Sequence, residues 1–307
     1  MKQLETKKNI TDIIKQYSLS TNIPPQFIEK DYFVVKVLAI LENIIYSDAK
    51  IVFTGGTCLS KAYGKIKRFS EDIDFCVHTS TPFSRKDKSN FRKFIISELN
   101  KCEDFKVIDS PITITDENNF FSFEIEYDKS FEATSNLRKN IKVEFKFENL
   151  QLETNKFSIE SFIHPFINDN IANVECINII ELVANKYSAF LWRTYIKDRT
   201  KPLYSKENDP TIMRHLYDIS TLADSIKAPE FKELAENFFK NDSGRGNIDN
   251  NYSITEFSKL ILNKIKNDNL FKKEYTDFVD SMCYSTEKIS YEAALEKFKN
   301  IIIYFTA

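Results

Sequence analysis

Between Lys50 and Val77 the chain reads strand, glycine turn, helix, strand, and that order restricts the architectures open to it. Lys50-Ile51-Val52-Phe53-Thr54 is rich in β-branched and aromatic residues and too short for a stable helix, so it fits a buried strand. It ends at the Gly55-Gly56 turn. Thr57 to Gly64 fits a short helix. Beyond it Ile73, Phe75 and Val77 alternate with Asp72, Asp74 and Cys76, the period of a half-buried strand.

A period of two also fixes where the acids point. Asp72 and Asp74 stand at i and i+2, so both carboxylates leave the same face. Like charges held that close repel unless a cation or a proton is shared between them. Hard oxygen donors of this kind suit Mg²⁺, with Mn²⁺ as the alternative, and such ions take one or two carboxylates together with substrate phosphate oxygens. The turn Gly55-Gly56-Thr57 supplies accessible backbone N–H groups at a helix start, a seat for phosphate. Lys61 sits one turn into that helix and leads a basic cluster with Lys65, Lys67 and Arg68 that can steer phosphate. On a second strand Ile141, Val143, Phe145 and Phe147 share one face, and Lys142, Glu144, Lys146 and Glu148 the other. If that strand neighbours the first, Glu144 is a third metal ligand, and a two-ion site can activate a hydroxyl and stabilise a leaving pyrophosphate. Taken singly, Asp-x-Asp reads as a solvated strand face, Gly-Gly as a turn, and the charges around Glu144 as a wet sheet edge. Their combination in this order argues for chemistry.

The rest of the chain sets the frame. Hydrophobic residues at 42% and aromatics at 14%, mostly 27 Phe and 14 Tyr, suffice for a packed core and exclude wholesale disorder. Only 5 Gly and 8 Pro in 307 residues argue against a turn-rich all-β fold and for long helices. Helical spacing begins at Pro24-Pro25 and returns from Ser84, an N-cap, to Cys102. Strand patterns occupy Phe120–Tyr127 and Ile141–Phe147, and from about Ile177 onward amphipathic helices are joined by polar loops near Lys201–Asp209 and Asn241–Asn251. The expected fold is α+β with a mixed β-sheet over residues 1–165, followed by a helical domain over 166–307.

A formal charge of −2 excludes non-specific nucleic-acid binding by bulk charge, so any such contact needs a local basic patch. One helix offers a patch: Lys186, Arg193, Lys197, Arg199 and Lys201 interleave with Tyr187, Trp192 and Tyr195, either for an RNA end or as a solvated face over a packed Trp. The cysteines 58, 76, 102, 176 and 283 are widely spaced and read as reduced structural thiols. His78, His164 and His215 show no metal spacing, and Glu29-Lys30-Asp31 reads as a structural triplet behind the site. The N-terminus has no apolar core, and the most apolar helix, Phe33–Ile45, is interrupted by Lys36, Glu42 and Asn43. The expected protein is cytoplasmic, with no membrane partner.

Gly55-Gly56-Thr57, followed by Arg68-Phe69-Ser70-Glu71-Asp72-Ile73-Asp74, resembles the AbiEii/AbiGii toxin family. This family is a branch of the polymerase-β-like nucleotidyltransferases that also contains the MenT toxins. The likeness extends to Glu29-Lys30-Asp31, Ile180-Glu181-Leu182-Val183-Ala184-Asn185-Lys186 and Arg214-His215-Leu216-Tyr217-Asp218-Ile219-Ser220-Thr221-Leu222, in the family's order. The resemblance implies a polymerase-β-like nucleotidyltransferase core and a C-terminal helical domain. It implies a toxin of a toxin–antitoxin pair used in phage defence, with a cognate antitoxin, that transfers nucleotide from an NTP to a tRNA 3′ end. Gly56 and Thr57 would then hold the triphosphate, with Gly55, Lys61, Arg68 and Ser70 as further nucleotide-binding residues. Asp72 and Asp74 would bind Mg²⁺, Lys186 would meet the NTP phosphates, and Asp218 would orient its helix or the nucleotide. Two departures stand out: an extra polar loop over Asp198–Asp209, and His215 where the motif often has Asp. Transfer to a small molecule or a protein hydroxyl, and a non-catalytic interaction module on the same fold, are the alternatives.

Overall fold

A computed structural model describes the chain except residues 1, 71, 109–111, 133–136, 170, 228, 250 and 307, and the side chains of residues 2–8, 227 and 306. Glu71 of the Arg68–Asp74 motif therefore lies outside the described residues. The chain divides into two compact units, one of residues 1–64 and 69–177, the other of residues 65–68 and 178–307.

The first unit is built on α1 (Lys2–Thr21), α2 (Pro25–Leu41), β1 (Lys50–Thr54), α3 (Gly55–Lys61), β2 (Asp72–His78), α4 (Arg85–Leu99), β3 (Phe105–Val107), β4 (Thr113–Thr115), β5 (Phe120–Tyr127), β6 (Ile141–Phe147), β7 (Asn155–Ile159), α5 (His164–Ile167) and β8 (Ala172–Cys176). The eight strands among its described residues form one mixed sheet in the order β3-β5-β6-β2-β1-β8-β7, with β4 added on β5. β2 pairs antiparallel with β1 on one side and parallel with β6 on the other. Sequence pattern and local chemistry explain these elements. Pro25 opens α2, where a missing N–H costs nothing. Ser84 and Asp87 close a capping box at the start of α4.

One face of the sheet is an aromatic slab. Phe53, Phe75, Phe145 and Phe121 follow one another across β1, β2, β6 and β5, with ring centroids 5.6, 5.1 and 4.9 Å apart. Phe91 of α4 seals it edge-on against Phe145 at 6.0 Å and Phe147 at 5.5 Å. Ile73, Val143 and Phe145 are wholly buried. Removing that much apolar surface from water decides the orientation of every strand, because a one-residue slip would turn the phenylalanines outward.

The second unit is helical: α6 (Ile179–Ile196), α7 (Met213–Thr221), α8 (Pro229–Gly246), α9 (Ile254–Asn267), α10 (Asn269–Met282) and α11 (Tyr291–Thr306). Tyr187, Phe190, Phe231, Phe257, Phe271 and Phe298 fill its core. The buried Tyr187 hydroxyl is satisfied by Ser258 at 2.8 Å.

The mixed α+β architecture matches the expectation from sequence. The first unit extends past residue 165 to Ile177, because β7 and β8 complete the sheet beside β1. Two local readings change. Helix α1 precedes the element foreseen at Pro24. The stretch expected to form a loop from Asn241 is helical as far as Gly246, since tertiary contacts outweigh its turn-forming composition. Ser188 donates to Asp242 at 2.7 Å, Ser243 donates to the Lys240 carbonyl at 2.8 Å, and Gly246 lies against Trp192, where an added Cβ would come within 3.4 Å of the Trp192 Cβ.

Candidate active site

The polar face of the first unit's sheet carries the acids because the opposite face carries the phenylalanines. In the register of β2 and β6, Asp74 stands beside Glu144 and Asp72 beside Lys142. The same rows continue to Thr54 of β1 beyond Asp74 and to Ser122 of β5 beyond Glu144. The neighbouring strands expected from the alternation at 141–148 are therefore in place.

Gly55 explains how the turn approaches this face. Its φ is +77°, and a Cβ there would fall 1.8 Å from Asp74 Oδ2 and 2.6 Å from its Cγ. Only glycine can bring the backbone this close to the carboxylate. Thr57, 2% exposed, donates its hydroxyl to the Asp72 carbonyl oxygen. α3 is thus tied to the Asp72 main chain by a hydrogen bond, and the turn passes close against the Asp74 carboxylate. Lys61 Nζ meets Asp31 Oδ1 at 2.6 Å and lies 4.8 Å from the Phe162 ring centre, while Asp31 Oδ2 accepts the Phe162 N–H at 2.8 Å. The preferred phosphate-steering lysine is thus held by an acid of α2. Lys65 and Lys67 are exposed, and Ser70 is half-buried.

The donor set can be tested against the metal that the motif implies. Asp72 Oδ1 is buried and accepts no hydrogen bond, and Arg138 Nε lies 3.6 Å away as an ion-pair partner. An orphaned hard oxygen, next to a second carboxylate packed on a glycine, suits a divalent cation. Glu144 is placed differently: its carboxylate pairs with Lys142 on the same strand. Among the described residues no three His, Cys, Asp or Glu side chains gather as a metal-holding group. Asp72 and Asp74 fit the ion; Glu144 has the right strand position and a lysine on its carboxylate.

Glu29 and Lys30 prove to be working parts of the same unit. Both are buried, at 4% and 3% exposure. Glu29 accepts the Ser130 N–H at 2.6 Å, and Lys30 donates to the Arg138 carbonyl at 2.9 Å. Consecutive residues of α2 thereby grip the chain before and after residues 133–136. Arg138 and Lys142 were not singled out from the sequence. Lys142 was visible as a member of the charged strand face, whereas nothing local marks Arg138.

The other site residues belong to the second unit. Asp218 of α7 is wholly buried and receives Arg68 through two bonds of 2.7 Å and Lys186 of α6 at 2.9 Å. Burial raises its pKa, but the Arg68 and Lys186 charges outweigh that and hold the carboxyl far below the usual range. Arg68, expected in a phosphate-steering cluster, is only 3% exposed and committed to this acid. His215, one turn before Asp218, is kept from protonating by burial first and then by the Lys186 and Arg193 charges. Most of the basic and aromatic series of α6 and the segment after it is engaged within the unit, with Tyr195 and Lys201 left exposed. Arg193 pairs with Asp209, Lys197 donates to Asn208 and to the Asp209 carbonyl, and Arg199 pairs with Glu274 and Asp268. Tyr187 and Trp192 are core residues, so these cations secure the 198–209 loop and neighbouring helices instead of forming an open basic face.

A mixed sheet with an acidic pair beside a Gly-Gly turn, continued by a helical unit, defines a nucleotidyltransferase fold. The family model "Nucleotidyl transferase AbiEii toxin, Type IV TA system" matches residues 40–297, and the chain belongs to this family of nucleotidyltransferase toxins. Among solved structures it is similar to MenT4, a nucleotidyltransferase toxin from Mycobacterium tuberculosis, with a TM-score of 0.60 at 16% identity over 96% of this chain and 89% of that one, a likeness of fold. A non-canonical poly(A) polymerase complex, GLD-2–GLD-3, aligns at a TM-score of 0.33 and 13% identity over 83% and 74% of the two chains, too low to carry an argument. No curated protein matches the chain. No helix among the described residues is long and apolar enough to cross a membrane.

Proposed function

We propose that this toxin transfers a nucleotidyl group from an NTP to the 3′ end of RNA, tRNA foremost, and that a cognate antitoxin restrains it. The observation that carries the reading is the Asp72/Asp74 pair, with one carboxylate seated on Gly55 and the other exposing an unbonded buried oxygen. In the reaction the acceptor hydroxyl oxygen bonds to the α-phosphorus, and the bond from that phosphorus to the β-bridging oxygen breaks. Pyrophosphate leaves, and the hydroxyl proton is lost to solvent.

Asp72 and Asp74 would hold Mg²⁺ or Mn²⁺, with Glu144 the carboxylate nearest in register to join them. When bound, the ion neutralises phosphate charge and lowers the pKa of the attacking hydroxyl. Thr57 fixes the main chain of Asp72, and Gly55 and Gly56 let the turn approach the phosphates. Lys186, oriented by Asp218, is the cation of the helical unit assigned to the triphosphate.

The test is incubation with each of four α-labelled NTPs and total RNA, beside Asp72→Asn. Label is expected in small RNA, absent with Asp72→Asn, and blocked when the RNA 3′ ends are first oxidised with periodate. Label that enters protein or a small molecule, or that survives Asp72→Asn, overturns the reading.

A further inference from the structure

Asp72 of β2 and Lys142 and Glu144 of β6 share the polar face of the sheet, and Arg138, in the segment leading into β6, reaches Asp72. Arg138 Nε lies 3.6 Å from Asp72 Oδ1, and Lys142 pairs with Glu144. The strand register sets Lys142 beside Asp72 and Glu144 beside Asp74. Lys142 therefore stands on one candidate metal ligand and next to another, and Arg138 stands beside Asp72. The two cations differ in exposure: Arg138 is exposed, at 46% of its side chain, whereas Lys142 is half-buried. Lys142 and Glu144 are 28% and 26% exposed at the side chain, and Asp72 is 21% exposed. The main chain of Arg138 is itself held by the buried Lys30.

A divalent ion and a guanidinium or ammonium group compete for the same carboxylate oxygens, since each carboxylate favours whichever positive charge is closest. A nucleotide changes the balance. Its triphosphate brings several negative charges to the edge of the site, and Arg and Lys are the side chains that bind phosphate through charge-assisted hydrogen bonds.

We propose that Arg138 and Lys142 are exchangeable cations. They neutralise Asp72 and Glu144 in the metal-free protein, and pass to the triphosphate when the metal ion takes over the carboxylates. The site then binds metal weakly by itself and takes up metal and nucleotide as one unit. Glu144 becomes a third ligand through release from Lys142, which reconciles its register beside Asp74 with its present partner. This rests on the reading of Asp72 and Asp74 as the metal-binding pair.

The experiment measures binding without catalysis. Mn²⁺ affinity is read by electron paramagnetic resonance on the full-length protein, alone and with a non-hydrolysable NTP analogue, for wild type, Arg138→Gln, Lys142→Gln and the double variant. Both positions are partly exposed, and thermal melts confirm that each variant is folded. Removing a competing cation is expected to raise affinity for Mn²⁺ alone by about 2- to 5-fold per position, the range for a partly exposed ion pair. Affinity for the analogue in the presence of Mn²⁺ should fall by a similar factor. The synergy between metal and nucleotide, strong in wild type, should largely vanish in the double variant. Variants that bind Mn²⁺ with unchanged or lower affinity, or that keep the full synergy, overturn the exchange. If wild type binds neither Mn²⁺ nor the analogue, the metal-site reading fails instead.

Discussion

Removal of the Asp218 carboxylate tests the polar centre of the helical unit most directly. Asp218 is wholly buried, and its partners Arg68 and Lys186 are 3% and 8% exposed. Asp218→Ala deletes three charge-assisted bonds of 2.7, 2.7 and 2.9 Å and leaves two buried cations without their shared acid. Breaking a buried pair by removing one member costs about 3–5 kcal/mol, mostly from the charge left behind. For a unit of about 130 residues that loss lowers Tm by roughly 10–20 °C. Denaturant titration followed by circular dichroism measures it. Asp218→Asn should lose nearly as much, because it keeps the shape and removes the charge. The sign with pH follows from the depressed pKa. The native carboxylate stays ionised while the unfolded one protonates near ~3.9, so the stabilisation is complete above that pH and disappears as pH falls further. The deficit of Asp218→Ala should therefore be constant from about pH 5 to 8 and shrink in stronger acid. A triple change to Arg68→Met, Lys186→Met and Asp218→Leu should restore most of the loss, since an apolar core of similar volume needs no partners. A loss below about 1 kcal/mol for Asp218→Ala, typical of an exposed pair, would refute the reasoning.

Two further outcomes follow from the same structure. Gly55→Ala should lower stability by about 1–3 kcal/mol from its positive φ and, because the new methyl occupies the place of the Asp74 carboxylate, should abolish Mn²⁺ binding in calorimetry; a variant with wild-type metal affinity would contradict the close approach. His215 is held neutral in the folded state, so the unfolded chain gains a proton first and stability should decline as pH drops below about 6.5. His215→Gln should flatten that part of the stability–pH curve, and an unchanged slope would show that another group is responsible.

The site was legible where one rule governed a short stretch. Alternation at 72–77 and at 141–147 announced both strands and the face of each acid, because the buried phenylalanines leave a strand only one orientation. Gly55-Gly56 announced a turn, although the reason for Gly55 is a carboxylate 19 residues later, which no local pattern contains. What escaped was non-local. Arg138 reaches Asp72 from a segment whose carbonyl is held by Lys30, 108 positions earlier. The basic and aromatic residues of α6 carry the composition of an RNA surface, yet their acids lie on the 198–209 loop and on α10, so pairing decided their role. In the same way α8 runs through a turn-forming composition because Ser188 and Trp192 stabilise it from another helix.

The discontinuity of the helical unit has a consequence for how the toxin is made. Arg68 leaves the ribosome 150 residues before Asp218, the acid that holds it. At about 5–20 residues per second, Arg68 waits roughly 8–30 s for its anchor. A nascent chain that stops short of α7 carries Arg68 but lacks the carboxylate that pairs with it. Premature termination before α7 therefore yields a protein whose buried charged centre is incomplete.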